Sequence, residues 1–189
     1  MLMLRKVVIG DAERGLVYRN KRFQRVLAPG VHWLFAWTDS VEVFIHNIAV
    51  AEYNGKDVDA LIARLGSALA DTFVLADLGM QEVGLVLKNG KLEDVLAPGS
   101  RKLYWKGLIA VEVQPVSLVE SLEIADGVAK RLRQLGVLEK VAIAVNVPAE
   151  SMGLVFVDGK LSRALSAGAY AFWNYQKNVS AEVIDLRVQ

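Results

Sequence analysis

The chain has 189 residues, 53% hydrophobic and 23% charged, a balance that belongs to folded globular chains and excludes intrinsic disorder. Its 22 Lys and Arg stand against 21 Asp and Glu, a formal net charge of +1, so bulk electrostatics holds neither nucleic acid nor an anionic surface. There is no cysteine, which removes disulfide scaffolds, thiolate metal sites and cysteine nucleophiles together.

The amino terminus, MLMLRKVVIGDAERG, has four residues before its first arginine and no long apolar run leading to a cleavage site, so it does not read as a signal peptide. The mean hydropathy of +0.31 is high. Yet the longest stretches without a charge, Val26 to Thr38 and Ala164 to Gln176, hold 13 residues each, short of the ~20 apolar residues that cross a bilayer as a helix. A cytoplasmic or membrane-associated chain is expected, with its surplus apolar surface buried in the fold or between subunits.

The first structured pattern is ERGLVYRNKRFQRVLAPG at 13–30, an apolar strand, a turn at Asn20-Lys21, a return strand and a reversal at Pro29-Gly30. An aromatic strand, VHWLFAW at 31–37, and a partly alternating one, VEVFIHNI at 41–48, follow. From about Gly55 to Asp71, Val58, Leu61, Ile62, Leu65 and Leu69 recur at helical intervals, an amphipathic helix. TFVLADL at 72–78 then reads as a strand, and EVGLVLKNGKLEDVLAPG at 82–99 repeats the opening pattern without a gap. Here Asn89-Gly90 supplies the residue pair that a two-residue type I′ turn favours. LYW at 103–105 and LIAVEVQPV at 108–116 complete this copy. A second spacer, about Ser117 to Lys140, sets Val128, Leu132, Leu135 and Leu138 opposite Lys130, Arg131 and Arg133, a helix over 127–138. VAIAVNV at 141–147 leads into SMGLVFVDGKLSRALSAG at 151–168, a third copy with its turn at Asp158-Gly159, then AYAFW and SAEVIDLRV.

Both offsets are 69 residues. The first and second copies share 10 of 18 positions, the second and third 8, and five are common to all, which establishes an internal repeat. The common positions are Gly15, Leu16, Val17, Leu27 and Gly30; Gly84, Leu85, Val86, Leu96 and Gly99; and Gly153, Leu154, Val155, Leu165 and Gly168. Glycine at 15, 84 and 153 implies close approach or a bulge, and at 30, 99 and 168 a tight reversal. The expected fold is α+β, three tandem antiparallel β-meanders of three or four strands separated by amphipathic helices. The copies run over 1–72, 73–140 and 141–189.

The opening unit resembles the start of an SPFH (band 7) domain, the family of stomatins, slipins, prohibitins and flotillins. The likeness rests on Glu13-Arg14-Gly15, the basic residues Arg19 and Arg22 around the turn, Pro29-Gly30, His32 with its aromatic run, and the segment Asp39 to Val43. The second copy keeps Glu82, Gly84, Lys88, Pro98 and Gly99, and the third ends in AEVIDLRVQ, similar to the strand at which that family enters the rest of its domain. The resemblance implies a non-enzymatic, self-associating scaffold module at or near a membrane, a homo-oligomer, and the amino-terminal part of a longer protein.

Candidate chemistry is sparse. His32 and His46, the only histidines, fall on different strands of one copy and lack the further ligands a zinc ion requires. No serine sits in a nucleophile elbow, and no glycine run forms a phosphate cradle. Glu13, Glu82 and Glu150 precede strands and are expected to solvate strand entries. No catalytic residue, cofactor, metal or nucleic-acid partner is expected. Trp33, Trp37, Trp105 and Trp173 follow the reversals and are read as packing residues or, more sharply, a subunit interface. The alternative function is a small-ligand-binding module with a pocket among the aromatic strands.

Overall fold

The computed structural model describes residues 3–36, 40–55, 57–66 and 69–187. By contacts the chain divides into two compact units, residues 1–77 with 87–91 and 100–113, and residues 78–86 with 92–99 and 114–189.

Among the described residues each copy contains five strands, not three or four. In the first they are β1 (Met3–Ile9), β2 (Glu13–Arg19), β3 (Arg22–Leu27), β4 (Gly30–Ala36) and β5 (Val41–Asn47). β2 is the centre of a three-stranded antiparallel sheet, order β3-β2-β5, and β4 leaves that sheet to pair with β1. The same plan returns in β6 (Phe73–Asp77), β7 (Glu82–Lys88), β8 (Lys91–Leu96), β9 (Arg101–Trp105) and β10 (Val111–Ser117). It returns again in β11 (Ala142–Val147), β12 (Ser151–Val157), β13 (Lys160–Leu165), β14 (Gly168–Trp173) and β15 (Val179–Asp185). The sheet orders are β6-β9 with β10-β7-β8, and β11-β14 with β13-β12-β15. The apolar segments 72–78 and 141–147 are therefore first strands of the copies that follow them.

The expected α+β class is overturned. Of the described residues 54% lie in strands and 15% in helices, and the helices are short. The first spacer holds α1 (Val58–Leu65) and α2 (Leu69–Thr72), the second α3 (Asp126–Gln134) and α4 (Leu138–Val141). Gly66 at φ 52° and Gly136 at φ 69° take left-handed backbone and end α1 and the turn after α3. Earlier in each spacer the chain instead runs beside the next sheet, with Glu52 bridged to Tyr104 and Glu123 to Phe172. Periodicity found the apolar faces but not the breaks.

Hairpin geometry recurs in all three copies. Asn20 and Lys21 (φ 51° and 63°), Asn89 and Gly90 (50° and 75°), and Asp158 and Gly159 (52° and 76°) all have the paired positive φ of a type I′ turn. Lys21 adopts it without being glycine, and a clasp made by its neighbour helps to hold the turn. The Asn20 N–H donates to the Ser40 carbonyl (2.8 Å) and the Ser40 N–H donates to Asn20 Oδ1 (3.0 Å). Asn89 makes the same exchange with Ala110, and Asp158 with Asn178. The Asn/Asp preference thus fixes the turn and ties down the entry to the fifth strand.

In the first and third copies the two sheets pack face to face, with strand alternation setting what lies between them. In the first copy Val7, Ile9 and Leu34 meet Val17 and Leu27; in the third Val145, Val147 and Phe172 meet Val155 and Leu165. The third residue of β2 and of β12 is glycine because this layer is tight. A Cβ on Gly15 would stand 2.9 Å from Ile9 Cδ1 and 3.3 Å from Leu27 Cβ; on Gly153, 2.7 Å from Val147 Cγ2 and 3.2 Å from Leu165 Cβ. The repeated Gly–Leu pair is one contact made in both copies. Gly30, Gly99 and Gly168 serve a different end, with φ of 134°, 72° and 155° that side chains rarely adopt.

Gly153→Ala is expected to lower unfolding stability by about 1–3 kcal/mol, the cost of overpacking a dense layer. Adding Val147→Ala should return part of that loss in a double-mutant cycle read by urea denaturation. Strict additivity of the two changes would refute the close-approach account.

Candidate interaction faces and an aromatic cleft

Strand alternation gives each two-stranded sheet an outer face, and the three copies treat it differently. In the second copy Phe73, Leu103 and Trp105 are 1%, 0% and 2% exposed; in the third, Ala142, Ala171 and Trp173 are 6%, 2% and 1% exposed. Ladder register places Leu4, Trp33 and Phe35 at the equivalent positions of the first copy. They are 50%, 52% and 57% exposed.

The cover on the second and third copies is the preceding spacer, docked as an extra strand. Along β9 the Tyr53 N–H donates to the Leu103 carbonyl (2.9 Å) and the Trp105 N–H to the Ala51 carbonyl (2.7 Å), with Glu52 bridging opposite Tyr104. Along β14 the Ile124 N–H donates to the Ala171 carbonyl and the Trp173 N–H to the Leu122 carbonyl, both 2.8 Å, with Glu123 opposite Phe172. Leu61 and Leu69 then close the first junction over Phe73, Leu103 and Trp105. Each bridging glutamate also finds a cation: Glu52 with Lys102 at 2.7 Å, and Glu123 with Arg163, whose guanidinium lies 5.6 Å from the Phe172 ring centroid.

Trp105 and Trp173 are therefore interior to the chain, Trp33 lies on the bare face, and Trp37 lies outside the described residues. A second bare face lies on the sheet of β12, β13 and β15, where Met152, Leu161 and Ile184 are 38%, 60% and 45% exposed. The corresponding face of the first copy carries Leu16, Tyr18 and Phe23, packed into the first junction.

That junction also holds a cleft of about 420 Å³ lined by Tyr18, Phe44, His46, Tyr53, Gly55 and Asp57. Asp57, just ahead of α1, accepts hydrogen bonds from both phenols: Tyr53 Oη donates to Oδ1 at 2.6 Å and Tyr18 Oη to Oδ2. Tyr18 stands edge-on to Phe44 (5.5 Å between centroids), and His46 lies 5.1 Å from the Tyr53 ring and 5.6 Å from Trp105. Burial, with Asp57 as hydrogen-bond acceptor and nearby negative charge, holds both tyrosines well above the ordinary phenol range. Burial also lowers the His46 pKa, with Asp57 opposing, so its neutral form prevails at neutral pH. Periodicity did not single out this group, whose members come from β2, β5 and the spacer. In the third copy register puts Phe156, Glu182 and Ile184 where Tyr18, Phe44 and His46 stand.

The remaining candidates have local partners. Glu13 accepts from the Gly10 N–H and Glu82 from the Gly79 N–H, both at 2.8 Å, closing the turn into β2 and β7. The third copy has Pro148 at the glycine position, with no N–H to satisfy, and Ser151 at the glutamate position. Glu150, at φ 60°, lies 3.5 Å from Arg187. His32 Nε2 is 2.7 Å from the Ala28 carbonyl on a different sheet from His46. Lys130 pairs with Asp126 and Arg131 donates to the Leu92 carbonyl. Among the described residues no group of three or more His, Asp or Glu is placed to hold a metal ion, and no helix is long and apolar enough to cross a membrane. No protein-family model and no curated protein matches the chain.

Because the fold depresses the His46 pKa, the unfolded chain binds a proton there first as pH falls. The contribution of neutral His46 is present above the unfolded value of about 6.5 and is lost on acidification through it. The melting temperature is expected to drop between neutral pH and pH of about 5, and less steeply in His46→Phe. Equal slopes in the two proteins would contradict this assignment.

Proposed function

We propose that the chain is a non-enzymatic, self-associating scaffold module of the stomatin and slipin type. The observation that carries this reading is the pair of bare apolar faces, Leu4, Trp33 and Phe35 on the first copy and Met152, Leu161 and Ile184 on the third. Both have counterparts within the chain that are buried or packed into a junction. A surface the fold covers whenever a neighbouring copy is present is one that a second chain can cover in the same way. The SPFH-like opening supports the scaffold role, and a place at or near a membrane follows from that likeness alone.

Light scattering across a concentration series is expected to show a mass that rises above one chain. Trp33→Asp and Leu161→Asp should each lower that mass while leaving the melting temperature within a few degrees, since both side chains are more than half exposed. A single-chain mass at every concentration would overturn the reading.

A second reading is favoured by the cleft at the first junction. Aromatic rings around one carboxylate, with a neutral imidazole beside them, suit a small organic cation such as a quaternary ammonium group. The third copy lacks the tyrosine hydroxyl and the imidazole at the matching positions, which separates this group from what the repeat needs for packing. Titration with choline, followed by NMR, is expected to shift resonances of the cleft saturably and to weaken about tenfold in Asp57→Asn. Equal binding of the neutral isostere 3,3-dimethylbutan-1-ol would dismiss a cation site.

A further inference from the structure

We infer that the outer face of β1 and β4 is a receptor for a strand-and-helix segment supplied by another polypeptide. That segment is extended and apolar, carries an acidic residue opposite Leu34, and runs on into an amphipathic helix. This goes beyond self-association, because it specifies a segment and its register, and the donor is a different protein: both spacers of a second copy are already docked on their own sheets.

Three observations converge on that occupant. The first is precedent: both equivalent faces in the chain are covered by one device, in one register, through the same pair of backbone hydrogen bonds. Transferred to the first copy, the bonds fall on the Trp33 carbonyl and the Phe35 N–H, at the edge of the two-stranded sheet of β1 and β4. An edge strand is a template for a further one.

The second is charge. Arg25 pairs with Val17 across the ladder as Arg163 pairs with Val155, so the two arginines occupy one position of the repeat. Arg163 holds Glu123 of the covering strand. Arg25 is exposed and lines a cleft of about 320 Å³ with Trp33, Leu34 and Phe35. The matching cleft of the third copy is lined by Arg163 and Phe172, and the covering segment Glu120 to Glu123 forms its wall. An incoming glutamate opposite Leu34 meets Arg25.

The third is the rim. Next along the sheet the second copy places Asp77 opposite Arg101, an ion pair at 2.8 Å, and the third places Asn146 opposite Ala169. The first copy has Val8 opposite Val31, 58% and 55% exposed. Its rim is therefore apolar where each covered face carries a polar residue, while Lys6, in register with Trp33, sets its ammonium 5.9 Å from that ring.

The probe is the second spacer itself, a labelled peptide of residues 117–141, titrated into the full chain at a concentration where light scattering gives a single-chain mass. Saturable binding is expected by fluorescence anisotropy, together with slowed hydrogen exchange at the Phe35 amide. Trp33→Asp should weaken binding at least about tenfold. Arg25→Glu should weaken it severalfold, and a Glu123→Arg peptide should restore it. Folding of both variants is checked by circular dichroism. Absence of binding at millimolar peptide, or binding that Trp33→Asp and Arg25→Glu leave unchanged, overturns the proposal. Concentration-dependent mass without peptide binding overturns this mode of docking alone and leaves self-association standing.

Discussion

A two-stranded sheet has two faces, and a copy of this repeat can bury only one of them with its own residues. That constraint organises the molecule. In the first and third copies the inner face closes against the three-stranded sheet of the same copy, in a layer tight enough to require glycine at positions 15 and 153. The outer face needs an added strand and helix, and the spacers between copies supply them. Each spacer begins extended because its first task is backbone pairing with the next copy's sheet, and turns helical only afterwards, where apolar side chains must cap the exposed rings. Helices of eight and nine residues are marginal in isolation. Packing against the sheets makes them stable, so spacer and sheet form one cooperative piece.

The repeat itself was legible, since five positions recur at one spacing and each has a physical duty. Hairpin turns were legible too, through Asn-Gly and Asp-Gly. Strand pairing was not. Nothing in VHWLFAW says that β4 abandons its hairpin neighbour to join β1, because the partner lies more than twenty residues earlier and alternation marks only which side chains share a face. The helix estimate failed for a related reason. Val58, Leu61, Ile62, Leu65 and Leu69 fit one apolar stripe, but Gly66 takes left-handed backbone and cuts it, and a single glycine within a periodic run does not announce its φ. The aromatic cleft escaped notice altogether, since its residues are scattered over β2, β5 and the spacer and become neighbours only once the first junction forms.

The tryptophans show how a recurring residue changes meaning with context. Trp105 and Trp173 are equivalent and lie under a spacer, where they fill the junction. Their counterpart in the first copy is Phe35, half exposed, and Trp33 stands where the other copies have Leu103 and Ala171. At the Trp33 position the bare face thus carries an aromatic ring where the covered faces carry Leu or Ala. Aromatic rings offer much apolar area for little rotational entropy, which suits a surface that must gain from an intermolecular contact after meeting the cost of association.

Assembly through such a face has a direction. A junction in this chain joins the outer side of one copy's three-stranded sheet, through a spacer, to the outer side of the next copy's two-stranded sheet, and those surfaces differ. A contact of this kind between chains is heterologous. It satisfies one partner's bare face and leaves the other's free, so it propagates unless rotation closes a ring or a segment without a further sheet occupies the site. A free strand-and-helix segment is a terminator in this sense: it completes the backbone pairing and the charge at Arg25 but presents no sheet of its own. The same face can therefore support growth when the sheet of a second copy covers it, and stop it when a segment from a protein that lacks the repeat does.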